Sequence, residues 1–281
     1  MSVGRPYILQ IDGCVHDGWL ILTNVDVNIN KEYLYYVLAS DYAQSQFQER
    51  ALGGVVKNLN IERAKNVQIP VPPADVQAQI VAECQAIDEE VAQAEKEITS
   101  VRDKIRNAVS DWFARFDKVK VSDVLSLEYG KVLPKDKRTS GEYPVMGSNG
   151  IDGYHCEYLV EGPTVIIGRK GTAGAVTYVE KSCYPIDTTF YVKPKVEVNM
   201  KYLYYVLDHL NLSSHKKGIG VPGVNRNDIY VREVPLPNKQ KQDILISEIE
   251  KMEHAITDAL AVIASAPARR QAVLQKYLWG V

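Results

Sequence analysis

The stretch NKEYLYYVL at Asn30–Leu38 returns as NMKYLYYVL at Asn199–Leu207, 169 residues later. So aromatic a phrase does not recur by chance, so the chain contains an internal repeat, and any fold must use one unit twice. Upstream, VNINKEYLYYVL from Val27 lies against VEVNMKYLYYVL from Val196, and Cys14 meets Cys183 at the same offset. Downstream the offset falls to 165, because residues 39–58 are matched by the shorter stretch 208–223. There LNIERAKNVQIPVPP from Leu59 meets VNRNDIYVREVPLPN from Val224, and Gln77, Ile80, Val81 and Glu83 meet Gln242, Leu245, Ile246 and Glu248. The second copy occupies 165 residues, 117 to 281, and the first only 116. About 49 residues at the front of the first copy have no match, and SVGRPYI at Ser2 aligns loosely with TAGAVTYV at Thr172. The sequence is therefore expected to open in the middle of a domain.

Each proline-rich stretch is followed by a helical pattern. Ile80, Cys84, Ile87, Val91, Ala94, Ile98, Val101, Ile105 and Ala108 alternate spacings of 4 and 3, the seam of a coiled coil. The second copy repeats it with Leu245, Ile249, Met252, Ile256, Ala259, Ile263 and Ala266. Two narrow seams in one chain most economically bury each other, and an antiparallel pair would send the flanking domains to opposite ends. About 30 residues at ~1.5 Å each make a rod of ~45 Å, or ~13 base pairs, a length suited to a ruler. Pro267 is expected to kink or interrupt the second helix. Prolines 70, 72, 73, 235 and 237 are expected to end the strands before the helices. The tyrosines of the repeated phrase are expected to pack a helix into each domain's own core.

Composition excludes several classes. With 46% apolar and 24% charged residues the chain is an ordinary globular one. No apolar run approaches the ~18 residues of a membrane span. The start, MSVGRPYILQ, lacks a basic region followed by an apolar one, so no membrane partner and a cytoplasmic location are expected. Cys14, Cys84, Cys156 and Cys183 show no CxxC pairing, which leaves free thiols and no metal site as the expectation. GxxxxGK[ST], HExxH and GxSxG are absent, and no methyltransferase-like Asn/Asp-Pro-Pro-aromatic stretch occurs. GIGVPG at Gly218–Gly223 matches GxGxxG in letters but contains Pro222 and is followed by VNRNDIYV, which is not expected to be a helix. His155 and Cys156 are adjacent on a strand pattern and so point to opposite faces. Asp88, Glu89, Glu90, Glu95 and Glu97 read as a solvated helix face. No catalytic constellation and no cofactor site emerges.

Charge by segment is more telling than the net −2. From Lys118 to Lys239 there are 17 Lys and Arg against 13 Asp and Glu, whereas Ala74–Asp117 holds 5 against 10. The basic residues gather in glycine-bearing loops: Lys131, Lys135, Lys137 and Arg138; Arg169 and Lys170; Lys216 and Lys217. Ser148, Asn149, Thr188, Asn225 and Arg226 lie in or beside such loops and can read base edges. Together these form a candidate DNA-binding set. GRKGTAG at Gly168–Gly174 has the glycines and charge to hold a nucleic-acid phosphate.

Tyr143–Val192 closely resembles the target-recognition domain of type I restriction-modification specificity subunits, through GSNGIxGYH, EGPTxIIGRKG and PIDTTFY. The repeated YLYYxL, the IPxP strand end and the long helix after it follow that family's arrangement. The resemblance implies an α/β (α+β) fold of two recognition domains alternating with two long antiparallel coiled-coil helices. It divides the chain into a partial recognition domain over 1–73, a helix over 74–116, a complete recognition domain over 117–238 and a helix over 239–281. It also implies that each recognition domain reads half of a split double-stranded target in the major groove, without catalysis by this chain. Methyltransferase subunits would dock on the helices and methylate adenine with S-adenosylmethionine, and motor-nuclease subunits would cleave unmethylated DNA. The chain departs from the family where its first domain lacks the counterpart of about Val119–Gly168. That leaves a half-subunit working as a homodimer, a split subunit completed by another fragment, or a decayed reading frame. A coiled-coil scaffold that does not bind DNA is the alternative from a different class.

Overall fold

The computed structural model describes residues 4–23, 25–51, 59–215 and 223–280, so Lys216, Lys217 and most of the GIGVPG loop lie outside the described residues. In chain order the elements are α1 (Lys31–Ala39), α2 (Asp41–Arg50), α3 (Ile61–Ala64), α4 (Ala74–Arg115), β1 (Lys118–Lys120), α5 (Val121–Val124), β2 (Leu125–Tyr129), β3 (Tyr143–Gly147), β4 (Gly150–His155), β5 (Thr164–Gly168), β6 (Val176–Val179), β7 (Tyr184–Pro185), β8 (Thr189–Pro194), α6 (Met200–His209), α7 (Arg226–Tyr230), β9 (Glu233–Pro235) and α8 (Lys239–Leu278). They form two compact units, Met1–Thr99 with Ile256–Val281, and Ser100–Ala255, and each long helix contributes to both.

The repeat is visible down to single hydrogen bonds. Asn30 and Asn199 cap α1 and α6, their side chains accepting from Tyr33 N and Tyr202 N, which satisfies amides that the first helical turn leaves without partners. Tyr33 and Tyr202 are fully buried, and each donates its hydroxyl to a proline carbonyl, Pro70 O at 2.8 Å and Pro235 O at 3.0 Å. Gln77 and Gln242, 1% exposed, accept from the cap residues' own amides at 2.9 and 2.8 Å and donate to Pro72 O and Pro237 O. Tyr36 on Asp88 is matched by Tyr205 on Glu253, at 2.6 and 2.5 Å. The aromatic phrase is thus an anchor between its helix and the long helix that follows, as its apolar spacing requires.

In the first unit α4 and α8 run antiparallel. Glu83 meets Lys276 and Tyr277, Asp88 meets Arg270, and Glu90 meets Arg269. Farther along, Ala94 and Ile98 pack with Ala259, Ile256 and Ile263. At the start of α4, Ile80 and Cys84 lie under Tyr33, Tyr36 and Leu274, so the seam there is shared between α1 and α8. One sequence-based expectation is refined and one corrected. Asp88 and Glu90 lie on a solvent-accessible face, as expected, and are also hydrogen-bonded to arginines of α8. Pro267 does not interrupt α8, which continues through it to Leu278. Pro267 lies on the exposed side while Ala266 and Leu274 are buried and Arg269 and Arg270 are bound, so packing on both sides holds the turn that lacks one backbone bond. The helices are also longer than their seams, at 42 and 40 residues, or ~63 and ~60 Å.

The second unit holds the sheets. A four-stranded sheet runs in the order β2-β8-β5-β6, a three-stranded one β4-β3-β7, and β1 pairs with β9. Met146, Ile166, Val179 and Cys183 join β3, β5, β6 and the residue before β7 in one apolar cluster. Trp112 near the end of α4 stacks on Tyr202 at 5.2 Å, which ties α6 to the long helix. In the first copy, by contrast, QIPVPP forms no strand. Its counterpart β9 is a strand because β1 hydrogen-bonds to it, and the position matching β1 does not fall within the 281 residues. VNRNDIYV, expected to form no helix, holds the short α7, which is only five residues long.

Candidate nucleic-acid interface

Five chain segments converge at one rim of the second unit: Tyr129 ending β2, the Ser148–Asn149 turn joining β3 to β4, the loop from Arg169 after β5, Asp187–Thr188 before β8, and Asn225–Arg226 opening α7. The Arg169 and Lys170 amides donate to Thr188 O at 2.8 and 3.2 Å, and Arg169 O accepts from Val224 N at 3.1 Å. Thr172 Oγ1 lies 3.4 Å from Asn149 Oδ1. At Gly168 any Cβ would come within 2.3 Å of Thr172 O, so glycine alone allows the loop to fold back this tightly.

Tyr129 forms the centre. Its ring carries the Arg169 guanidinium at 5.2 Å and that of Arg226 at 5.3 Å, and it leans on Phe190 at 5.1 Å. Arg169 is further oriented by two hydrogen bonds to Asp187 O, at 3.0 and 2.6 Å. Arg226 also lies over Tyr230, whose hydroxyl accepts from Leu127 N. Each cation–π contact is worth ~0.5–2 kcal/mol, so two charges repelling in water are held side by side by a shared aromatic face. Tyr129 remains 49% exposed, and Lys131, Lys170, Asn149 and Asn225 around it are exposed as well.

The structure therefore gathers Ser148, Asn149, Arg169, Lys170, Asn225 and Arg226 from the sequence-derived set, with Thr188 supplying backbone carbonyls. It sorts the first basic loop differently. Arg138 has a side chain only 10% exposed, bound to Asp152 Oδ2 at 2.9 Å, to the Asp152 carbonyl and to Leu133 O. Its guanidinium ties the loop before β3 to β4 and holds the Asp152 carboxyl below the usual carboxylate range. Lys135 leans on the same carboxylate at 3.3 Å, while Lys131 and Lys137 are exposed. Tyr129 was missed by sequence reading, since nothing local marks a tyrosine before a glycine as the seat of two arginines. His155 is buried and accepts from Thr139 N, whereas Cys156 is exposed beside Thr139 Oγ1. Among the described residues no cluster of three or more His, Cys, Asp or Glu is placed to hold a metal.

Residues 3–101 and 114–260 match the type I restriction modification DNA specificity domain, one segment for each copy of the repeat. The chain belongs to this family. A protein of Mycoplasma pneumoniae (strain ATCC 29342 / M129 / Subtype 1) assigned as a type I specificity subunit is 21% identical over 247 residues, covering 82% of this chain and 66% of that protein. The EcoprrI type I restriction enzyme specificity subunit of Escherichia coli is 25% identical over 133 residues, 46% of this chain and 33% of its own length. The chain thus spans less than two thirds of the length of both relatives. The S subunit of a type I restriction-modification system from M. genitalium superposes with a TM-score of 0.60 at 18% identity, over 89% of this chain and 73% of that one. A chain from a structural study of assembly and conformational transition of the type I restriction-modification system gives 0.61 at 16% identity, over 88% and 70%. The specificity-subunit fold of mixed sheets and long paired helices is therefore shared. Within this family member, the rim around Tyr129 is where cations, amides and hydroxyls from segments distant in sequence come together.

Proposed function

We propose that this specificity protein uses the Tyr129 rim to read one half of a split double-stranded DNA target, and that partner subunits act on the DNA it selects. The observation that carries this reading is the pair of arginines seated on one exposed tyrosine, ringed by Ser148, Asn149, Lys170 and Asn225. Arg169 and Lys170 suit phosphate contacts, and the Asn and Ser side chains suit base edges. Lys131 and Lys137, both exposed, are further candidates for phosphate contacts. Methyltransferase subunits supply adenine methylation and motor-nuclease subunits supply cleavage, while this chain contributes recognition and no chemistry of its own. A second copy of the chain is one source of the other half-site reader. A scaffold that does not bind DNA has no use for the arginine pair. Among the described residues no helix is long and apolar enough to cross a membrane.

Duplex binding by the complex with a methyltransferase subunit tests the reading. Log affinity should fall with log salt at ~0.9 per phosphate neutralised, and Arg169→Ala with Lys170→Ala should lower the slope by about two such increments. Mapping of methylated adenines in cells co-expressing the pair should return a defined split motif. An unchanged slope together with unchanged methylation in the double variant would sink the assignment of the rim.

A further inference from the structure

Two arginines share the Tyr129 ring, but their hydrogen-bonding edges are not equally occupied. Arg169 turns Nε and Nη2 onto the carbonyl of Asp187, at 3.0 and 2.6 Å, so its forked edge is already spent inside the protein. Arg226 lies over two rings, Tyr129 at 5.3 Å and Tyr230 at 5.9 Å. Among the described residues its one hydrogen bond runs from Nη1 to Leu127 O, at a long 3.5 Å. Its Nε and Nη2 therefore find no acceptor among those residues.

The frame around Arg226 is nonetheless fixed. Leu127 on β2 is fully buried; its amide donates to the Tyr230 hydroxyl at 2.9 Å and its carbonyl takes Arg226 Nη1, so one backbone unit holds both the ring and the cation. Ile229, 1% exposed, anchors α7 in the core. The Lys170–Gly223 bridge and the bond from Val224 N to Arg169 O keep the two arginine-bearing segments in register. A guanidinium seated over two aromatic rings loses little freedom on binding, and a planar fork with donors unspent suits two acceptors in a fixed geometry.

In the major groove only guanine presents two acceptors side by side, O6 and N7. Adenine sets a donor beside its N7, thymine offers a single acceptor and cytosine a donor. A phosphate also carries paired oxygens, but flexible cations meet it without a fixed orientation, and Lys131 and Lys170 are exposed for that role. We infer that Arg226 is a specificity-determining residue that reads one guanine of the half-site through O6 and N7, while Arg169, its edge spent on Asp187, supplies charge without base preference. The inference rests on the rim being a DNA interface, and adds to that reading the identity of one base.

Randomised duplexes selected by the complex of the full chain with a methyltransferase subunit give the motif. One of its guanines should become degenerate in Arg226→Ala and turn towards adenine in Arg226→Gln, since glutamine matches adenine N6 and N7. Lys170→Ala, which removes an equal charge, should weaken all sequences alike and lower the salt slope by about one phosphate increment. A second measurement leaves the protein unaltered: a deaza analogue that pairs as guanine but lacks N7 replaces each guanine of the motif in turn. At one position it should cost about tenfold in affinity, and Arg226→Ala should lose nothing further there. A motif with no such guanine, or a loss equal in the unaltered chain and in Arg226→Ala, overturns the inference and leaves the reading of the rim standing. No enriched motif at all, with a salt slope indifferent to Arg169→Ala and Lys170→Ala, removes that reading and this inference with it.

Discussion

Tyr33 and Tyr202 make the same hydrogen bond to equivalent proline carbonyls, whereas Ile21 and Phe190, a few residues upstream in the same repeat, share only their place in the pattern. The difference lies in where the partners come from. Tyr33 finds Pro70, Gln77 and Ile80 in its own copy, so one local sequence yields one local structure twice. Phe190 is buried by strands β2 and β5, whose counterparts for Ile21 do not lie within the 281 residues. Equal sequence produces equal structure only as far as the contacts it depends on are also repeated.

That contrast can be broken most forcefully at the tyrosines. Tyr202→Ala should cost ~3–5 kcal/mol by denaturant unfolding, because it opens a cavity beneath Trp112 as well as losing the bond to Pro235, and Tyr33→Ala should cost a similar amount in the first unit. Exchange read by unit should show each loss confined to its own unit. Equal loosening of both units by one substitution would mean that the units are not independent in their cores.

Gln77→Ala and Gln242→Ala should follow, at ~1–3 kcal/mol each, since each strands a cap amide and a proline carbonyl out of reach of water. The two values should agree closely, as the two networks do. A large disparity would show that the matching geometry hides different energetics.

Acid supplies the smallest effect and sharpens the comparison within one helix pair. Glu83 is held below its ordinary value of 4.5 by hydrogen bonds from Lys276 and Tyr277, and Glu90 by those from Arg269. A carboxyl lowered in the folded state stabilises it above the ordinary pKa, and that contribution is lost as pH falls through the lower folded value. Below about pH 4.5 exchange should therefore rise around Glu83–Glu90 and Arg269–Lys276 before it rises at Ala94–Ile98, whose contacts with Ala259 do not titrate. These pairs are solvent-exposed, so the shift should shrink in high salt. Simultaneous loosening of both stretches would place the weight of the helix pair on the apolar seam alone.

The candidate site shows where sequence reading reaches its limit. Charge and residue type marked Ser148, Asn149, Arg169, Lys170, Asn225 and Arg226, and the fold brings them to one rim. The same signal marked Arg138, which instead folds onto Asp152, fourteen residues on, because a hairpin places a carboxylate within its reach. Tyr129 carried no signal, since its partners are arginines 40 and 97 residues later. Pro267 carried a false one, because the rule that proline breaks a helix takes no account of bound arginines on the next turn.

By itself the amino-acid sequence determined the repeat, its register and the long helices with their seams, because each rests on residues within a few turns of one another. Only tertiary structure decided which cations face outward, which tyrosine seats them, and which apolar stretches become strands. Those outcomes depend on partners brought together across the chain, and a strand, unlike a helix, has no hydrogen bonds of its own until its neighbour arrives.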